Sequence, residues 1–376
     1  MIKSMESKSV KNIPPPLSFS DIESVGMRYL SQTDLFQCIW NLGTFCNYSC
    51  SYCWPHSHSS KPNYIPLKTL TNTMDKIKKK AREKGFHSFR FSFAGGEPTL
   101  QKYFLNLIRH YSNDTKNCNH QGLHIVTNLS QKIKWLKLFT EAVSPLDLTV
   151  ITASFHREFA DCNEFVEKIK FLAENNIICA VSIVMVPQKF DMLLEYAKFF
   201  YDHSINVYLQ LQEDFNNKIV SNYTKEMIEI MQTSFPLKQE YWTTNIEKTK
   251  KQRKRNSILP SKSHIVELID SSGKARHLDN CDRLNALNFN RYKGWECSAG
   301  YRSIIINAKG DIKRGFRCKD KPIGQLNKDF SLLPNNEPCI TSACLCTGDN
   351  KIPKRRAGTK HTLYKQIKPI SESPPE

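Results

Sequence analysis

From about residue 34 the chain alternates two patterns. Runs dense in β-branched and aromatic residues give way to stretches with an apolar residue at every third or fourth position. Six runs read as strands: LFQCIWNL (35–42), FRFSFAGG (89–96), LHIVTNLS (123–130), LDLTVITASF (146–155), ICAVSIVMVP (178–187) and NVYLQLQ (206–212). Between them the spacing predicts helices. In PLKTLTNTMDKIKKKAREKG, Leu67, Leu70, Met74 and Ile77 fall on one helical face, and Gly85 is placed to stop the helix. FVEKIKFLAENN and FDMLLEYAKFFYDHS repeat the pattern. Strands alternating with helices predict parallel βα units buried on both faces, an α/β fold. Six units suit a partial (β/α)6 TIM-like barrel better than a closed eight, with the chemistry at the C-terminal strand ends.

The alternation stops after residue 213. It leaves an expected barrel over 34–225, preceded by a flexible segment over 1–33. Residues 226–290 read as a linker. They contain the basic run KTKKQRKR (248–255) and a hairpin in SHIVELIDSSGKARHL around its SSGK turn. Residues 291–350 are expected to form a small C-terminal α+β domain, with a strand in YRSIIINAKGDI. Residues 351–376, basic and then proline-rich, read as a mobile tail.

Composition changes this picture in three ways. A length of 376 residues with 40% hydrophobic content supports one large domain and a smaller one. The net charge of +18 keeps an anionic partner open, nucleic acid included, but the lysines are scattered rather than gathered on one element, which does not favour that partner. No run approaches the roughly 20 apolar residues of a membrane span, so no membrane partner is expected. The first residues lack the apolar core of a signal peptide, and a cytoplasmic location follows as an expectation.

Thirteen cysteines are many for such a location, where disulfides do not persist and clustered thiols point to metal or catalysis. Cys46, Cys50 and Cys53 lie within CNYSCSYC, on the loop after the first strand. Three thiolates this close can ligate three irons of one 4Fe–4S cubane and leave the fourth iron open. A zinc site made of these cysteines and His56 is the alternative. At the end of the second strand comes AGGEP, in which Gly95 and Gly96 expose backbone to a ligand and Glu97 offers a carboxylate to an ammonium group.

C-x3-C-x2-C with Tyr52 before the last cysteine, followed by GGEP one βα unit later, resembles the radical S-adenosylmethionine superfamily over about residues 34–215. The resemblance implies an open iron chelated by the amino and carboxylate groups of S-adenosylmethionine. It also implies contacts from Gly95, Gly96 and Glu97 to the methionine end, and from Tyr52 near adenine. Asn128, Ser154 and His156 stand at later strand ends, where the family places ribose or carboxylate contacts. Helix capping would explain the same polar residues.

The stretch from GWECSAGYRSIII through RGFRC and IGQL to CITSACLC resembles the SPASM/Twitch extension of that superfamily. Only Cys297, Cys318, Cys339, Cys344 and Cys346 follow residue 290, fewer than the seven of a full SPASM pattern, so one auxiliary 4Fe–4S cluster is implied rather than two. A zinc knuckle is the alternative. The function implied is an oxidoreductase that cleaves S-adenosylmethionine to a 5′-deoxyadenosyl radical. It would then oxidise or cross-link a peptide or small-molecule substrate. An external one-electron donor such as flavodoxin or ferredoxin would drive it. The alternatives are a radical enzyme acting on RNA or a nucleotide, and a non-catalytic iron–sulfur or zinc protein that binds nucleic acid.

Overall fold

The computed structural model describes residues 18–27, 34–53, 58–114, 118–214, 219–235, 266–278, 284–285, 288–318, 320–344 and 346–360. His56, Cys281, the run 248–255 and the end of the tail lie outside the described residues.

Six parallel strands form the centre of the molecule. They are β2 (Leu35–Asn41), β3 (Ser88–Ala94), β4 (His120–Thr127), β5 (Leu148–Ser154), β6 (Ile178–Met185) and β7 (Asn206–Leu211). Between them run α1 (Leu67–Arg82), α2 (Phe104–Asn113), α3 (Ile133–Val143), α4 (Cys162–Glu174) and α5 (Phe190–Asp202). The parallel α/β sheet read from the alternation is present. Helix α1 ends as Gly85 foretold. With Gly85 at φ +84°, its N–H donates to the Arg82 carbonyl at 2.8 Å and Phe86 N–H to the Ala81 carbonyl at 3.0 Å. This is the Schellman closure that a left-handed glycine permits.

Strand β3 shows how the layers divide. Phe89, Phe91 and Phe93 join Leu70, Met74, Ile77, Phe104 and Tyr111 in the apolar core. The alternate residues Ser88, Arg90 and Ser92 are equally buried but polar. Ser92 Oγ shares a 2.6 Å hydrogen bond with His124 Nδ1, and His124 Nε2 shares one of 3.0 Å with Thr152 Oγ1. A polar row thus crosses β3, β4 and β5 on the face away from the phenylalanines, satisfying groups that would otherwise be costly to bury.

The outer side of β3's layer carries one buried cation. Lys78 of α1 is 1% exposed, pairs with Asp114 and lies over the rings of Phe89 and Tyr111. Burial pushes the Asp114 carboxyl up, but the hydrogen bond and charge of Lys78 outweigh it and hold the group below its ordinary value. A depressed carboxylate adds stability above its unfolded pKa that is lost as pH falls through the folded one. Asp114→Asn is therefore expected to cost about 1–3 kcal/mol near neutrality. Its deficit against the parent should shrink below about pH 4. Urea unfolding at both pH values checks this, and an equal deficit at both would refute it.

Two expectations about the ends of the chain are corrected. The first 33 residues are not uniformly flexible, because β1 (Ile22–Met27) is buried and pairs antiparallel with β8 (Val266–Asp270). The tail beyond 351 is not wholly mobile either. Within it β15 (Lys354–Arg355) inserts between β1 and β10 (Glu296–Cys297). With β9 (Ala275–Leu278) and β14 (Glu337–Pro338) these strands make a six-stranded sheet ordered β14-β10-β15-β1-β8-β9. Its core contains Ile22, Val25, Leu268, Tyr292, Trp295 and Ile352, and Phe19 stacks on Trp295 at 5.4 Å.

Nor does the C-terminal segment stand apart from residue 291 onward. Strand β11 (Ser303–Ile306) pairs parallel with β2, and β12 (Asp311–Lys313) and β13 (Gly324–Gln325) follow it, extending the main sheet to nine strands. The physical reason is the free edge of β2, which an all-buried Ser-Ile-Ile-Ile strand can cover. Among the described residues no helix is long and apolar enough to cross a membrane.

Candidate active site at the three-cysteine loop

The loop after β2 is held by residues at the ends of β3, β4 and β5. Next to it, Gly96 N–H donates to the Gly43 carbonyl at 2.9 Å and Glu97 N–H to the Phe45 carbonyl at 2.7 Å. Gly95 has φ +132°, and a Cβ on Gly96 would overlap the Phe45 carbonyl. The paired glycines thus let two backbones touch, which no side-chain-bearing residue would allow. Cys46 N–H donates to the Ser59 carbonyl at 3.1 Å and closes the base of the loop.

Glu97 is 3% exposed. Its Oε1 accepts from Thr99 N–H at 3.0 Å, Thr99 Oγ1 at 2.6 Å and Thr127 Oγ1 at 2.7 Å, while Oε2 accepts from Asn128 N–H at 2.6 Å. Burial pushes the carboxyl up and these donors pull it down. Glu97 therefore ties the end of β3 to the end of β4. Asn128, fixed by that tie, points its amide at Cys46 Sγ (3.7 Å) and at Asn47 Oδ1 (3.0 Å).

From β5 comes the third set of contacts. Ser154 ends that strand, half-buried, and Phe155 N–H returns to the Ser182 carbonyl of β6. His156 Nδ1 shares a 2.8 Å hydrogen bond with the Tyr52 hydroxyl, and burial pushes the imidazole down to about 4. Glu158 accepts from Ser51 N–H at 2.8 Å and from Ser51 Oγ at 2.5 Å. Tyr48 stacks on Phe159 at 4.9 Å and meets His156 edge-on. Glu158 and Phe159 were not singled out from the sequence. Their signal was position, two and three residues beyond His156 at a strand end.

Cys46, Cys50 and Cys53 are free thiols on this loop. Burial raises the Cys46 thiol and pushes Cys50 up to about 12, and each feels the charge of Cys53. Three sulfur donors in mutual electrostatic reach resist ionising together unless a cationic centre accepts them, which is the donor set an iron–sulfur cluster uses. Among the described residues no three His, Cys, Asp or Glu side chains converge on one ion-sized point. Thiolates that each bind a different iron have no need to.

The Radical SAM superfamily model matches residues 40–200, the stretch that holds this loop and the strand ends around it. Residues 40–200 are a radical SAM domain. Such a domain implies S-adenosylmethionine and a 4Fe–4S cluster, and the three thiols of the loop fit that cluster. Over 71 residues the chain is 31% identical to the GTP 3′,8-cyclases of Haemophilus influenzae strains PittEE and PittGG. The matched stretch is 18% of this chain and 19% of the cyclase's length. Solved structures of anSMEcpe with bound AdoMet share 15% identity over 79% of each chain at TM-score 0.45 for the native protein. The histidine-tagged form gives 14% over 79% of each chain at TM-score 0.48.

A second group of thiols lies C-terminal to the radical SAM domain. Cys297, Cys339 and Cys344 are buried, while Cys318 and Cys346 are partly so. Cys297 interacts electrostatically with Cys339, Cys318 with Cys297, and Cys344 with both Cys297 and Cys346. Five cysteines spread over fifty residues of chain are thus linked in pairs within electrostatic reach, although among the described residues no three of them converge on one ion-sized point. Asp349 anchors the turn that bears Cys318 by accepting from Phe316 N–H at 3.1 Å and Arg317 N–H at 3.0 Å. Arg317 then reaches Glu213, just past β7, in a 2.7 Å ion pair. A Cβ on Gly348 would touch Ile39 of β2. The cysteine group therefore rests against the same sheet that bears the radical SAM loop.

Proposed function

We propose that the chain is a radical S-adenosylmethionine enzyme that takes hydrogen from a peptide or small-molecule substrate and leaves it oxidised or cross-linked. The observation that carries this reading is the loop of three free thiols pinned by residues from the ends of β3, β4 and β5. Cys46, Cys50 and Cys53 would hold the 4Fe–4S cluster. When bound, that cluster supplies an electron to the sulfonium of S-adenosylmethionine and so sets hydrogen abstraction in motion.

The chain's own residues position and shield. Glu97 and Asn128 fix the loop against the strand ends, and the Tyr52–His156 hydrogen bond holds an aromatic ring beside the third cysteine, where adenine would lie. Gly95, Gly96, Glu97 and Ser154 are the remaining proposed cofactor contacts. Four of Cys297, Cys318, Cys339, Cys344 and Cys346 would hold an auxiliary 4Fe–4S cluster, an outlet for the electrons of an oxidised substrate. The electron donor is an external one-electron protein such as flavodoxin or ferredoxin, and the location is the reducing cytoplasm. A nucleotide substrate is the second reading, favoured by the local similarity to GTP 3′,8-cyclase and the charge of +18.

Anaerobically reconstituted protein is expected to carry about eight irons per chain, four per cubane. Given a strong reductant, it should release 5′-deoxyadenosine from S-adenosylmethionine even without substrate. Iron analysis and chromatography measure both. No 5′-deoxyadenosine from iron-loaded protein would overturn the reading. Four irons with one zinc would remove the auxiliary cluster from it.

A further inference from the structure

Lys354 sits in β15 with 1% of its surface exposed. Its Cα lies opposite Cys297 in the antiparallel β10–β15 register, so the two side chains share a face of the sheet. The ammonium donates to the backbone carbonyls of Asp349 at 2.6 Å and Ile352 at 2.8 Å, and lies 5.0 Å from the centre of the Tyr292 ring. These groups solvate a cation without neutralising it. Among the described residues no carboxylate stands within ion-pair distance of it. The Asp349 carboxylate acts on it from further off and is turned to the backbone of Phe316 and Arg317.

Another buried lysine, Lys78, shows what is missing here. That residue has Asp114 as a direct partner. Around Lys354 stand the thiols of Cys297, Cys344 and Cys339, each within electrostatic reach. A buried ammonium without an anion is costly. Neutral thiols do not offset it, whereas thiolates do. The register sets this unneutralised ammonium on the same face as Cys297, so cluster-bound thiolates there would supply the anion it lacks.

We propose that Lys354 is the fixed counter-cation of the C-terminal thiolate centre and raises its reduction potential. The proposal rests on the reading of these cysteines as iron–sulfur ligands. Iron–sulfur potentials follow the net charge, hydrogen bonding and exposure of the cluster. A reduced cluster is more negative than an oxidised one, so a neighbouring cation in a dry site favours reduction. Lys354 acts through the centre and is a positioning residue.

The test uses the full chain carrying Cys46→Ala, Cys50→Ala and Cys53→Ala, so that the C-terminal centre alone binds iron. Lys354→Met removes the charge, Lys354→Gln removes it but keeps hydrogen-bond donors, and Lys354→Arg retains it. Iron content, thermal unfolding of the iron-free form and a redox titration followed by electron paramagnetic resonance are measured. The expected result is that Met and Gln variants fold and bind iron. Their ratio of reduced to oxidised centre should fall at least about tenfold at a fixed potential, a shift of about 59 mV for one electron. Lys354→Arg should restore the parent value. An unchanged potential in the Met or Gln variant overturns the proposal. So does failure of both uncharged variants to fold when iron-free, since that assigns the lysine to packing. Absence of iron from the parent background, with Lys354 intact, defeats the iron–sulfur reading itself and the proposal with it.

Discussion

Replacing Cys46, Cys50 or Cys53 with alanine abolishes the release of 5′-deoxyadenosine from S-adenosylmethionine. The expectation follows from how little else among the described residues could serve as a ligand in that loop. Glu97 is buried and spends both carboxylate oxygens on Thr99, Thr127 and Asn128. His156 shares its Nδ1 with Tyr52, and Glu158 is held by Ser51. Losing an outer partner of a metal ligand costs about 10–100-fold, and losing the ligand costs more. Asn128→Ala, which removes the amide beside Cys46 Sγ, sets the intermediate point and should retain about 1–10% of the activity. Chromatography of 5′-deoxyadenosine, normalised to iron and to far-ultraviolet dichroism, measures all four variants. Parent-level release by any of the three cysteine variants would remove this loop from the chemistry.

How much of this was legible depended on whether the cause was local. The strand run 35–42 is β2 to within one residue, and 178–187 contains β6 (Ile178–Met185), because a buried parallel strand writes its own apolar run. Gly85 closes α1 through bonds no longer than one turn. Strand β1 was missed because its partner β8 lies some 240 residues away, and nothing in Ile-Glu-Ser-Val-Gly-Met announces that pairing. For the same reason β11 was assigned to a separate domain, although the edge it covers belongs to β2. Strand β3 carries a second pattern that its apolar run does not announce: its serines and Arg90 make a buried polar face on which Ser92 meets His124. The glycine pair reads as backbone offered to a ligand, and in the fold it also lies against the loop carrying the cysteines.

That last role of the glycines makes the strongest mechanical prediction. Gly96→Ala should strip iron from the N-terminal centre while changing no ligand. The new methyl group would overlap the Phe45 carbonyl, with the Thr44 carbonyl close behind. Both are backbone atoms, unable to swing aside as a side-chain tip could. The Gly96 N–H bond to Gly43 and the Glu97 N–H bond to Phe45 hold the two segments at this separation. To admit the methyl, the stretch 43–46 must move away, taking Cys46 from Cys50 and Cys53. Overpacking in a rigid site costs about 1–3 kcal/mol. The two broken hydrogen bonds add about 1 kcal/mol each. Gly122→Ala is the matched control. It lies in β4 of the same sheet, where the nearest atoms to a Cβ would be Arg90 Cγ at 3.7 Å, His120 Nε2 at 3.7 Å and Arg90 Cβ at 3.9 Å, ordinary contact distances. The control should keep its iron and lie within about 1 kcal/mol of the parent. Urea unfolding of the iron-free proteins and iron analysis after anaerobic reconstitution separate the two cases. Full iron loading of Gly96→Ala with parent stability would mean that the glycine pair does not hold the loop.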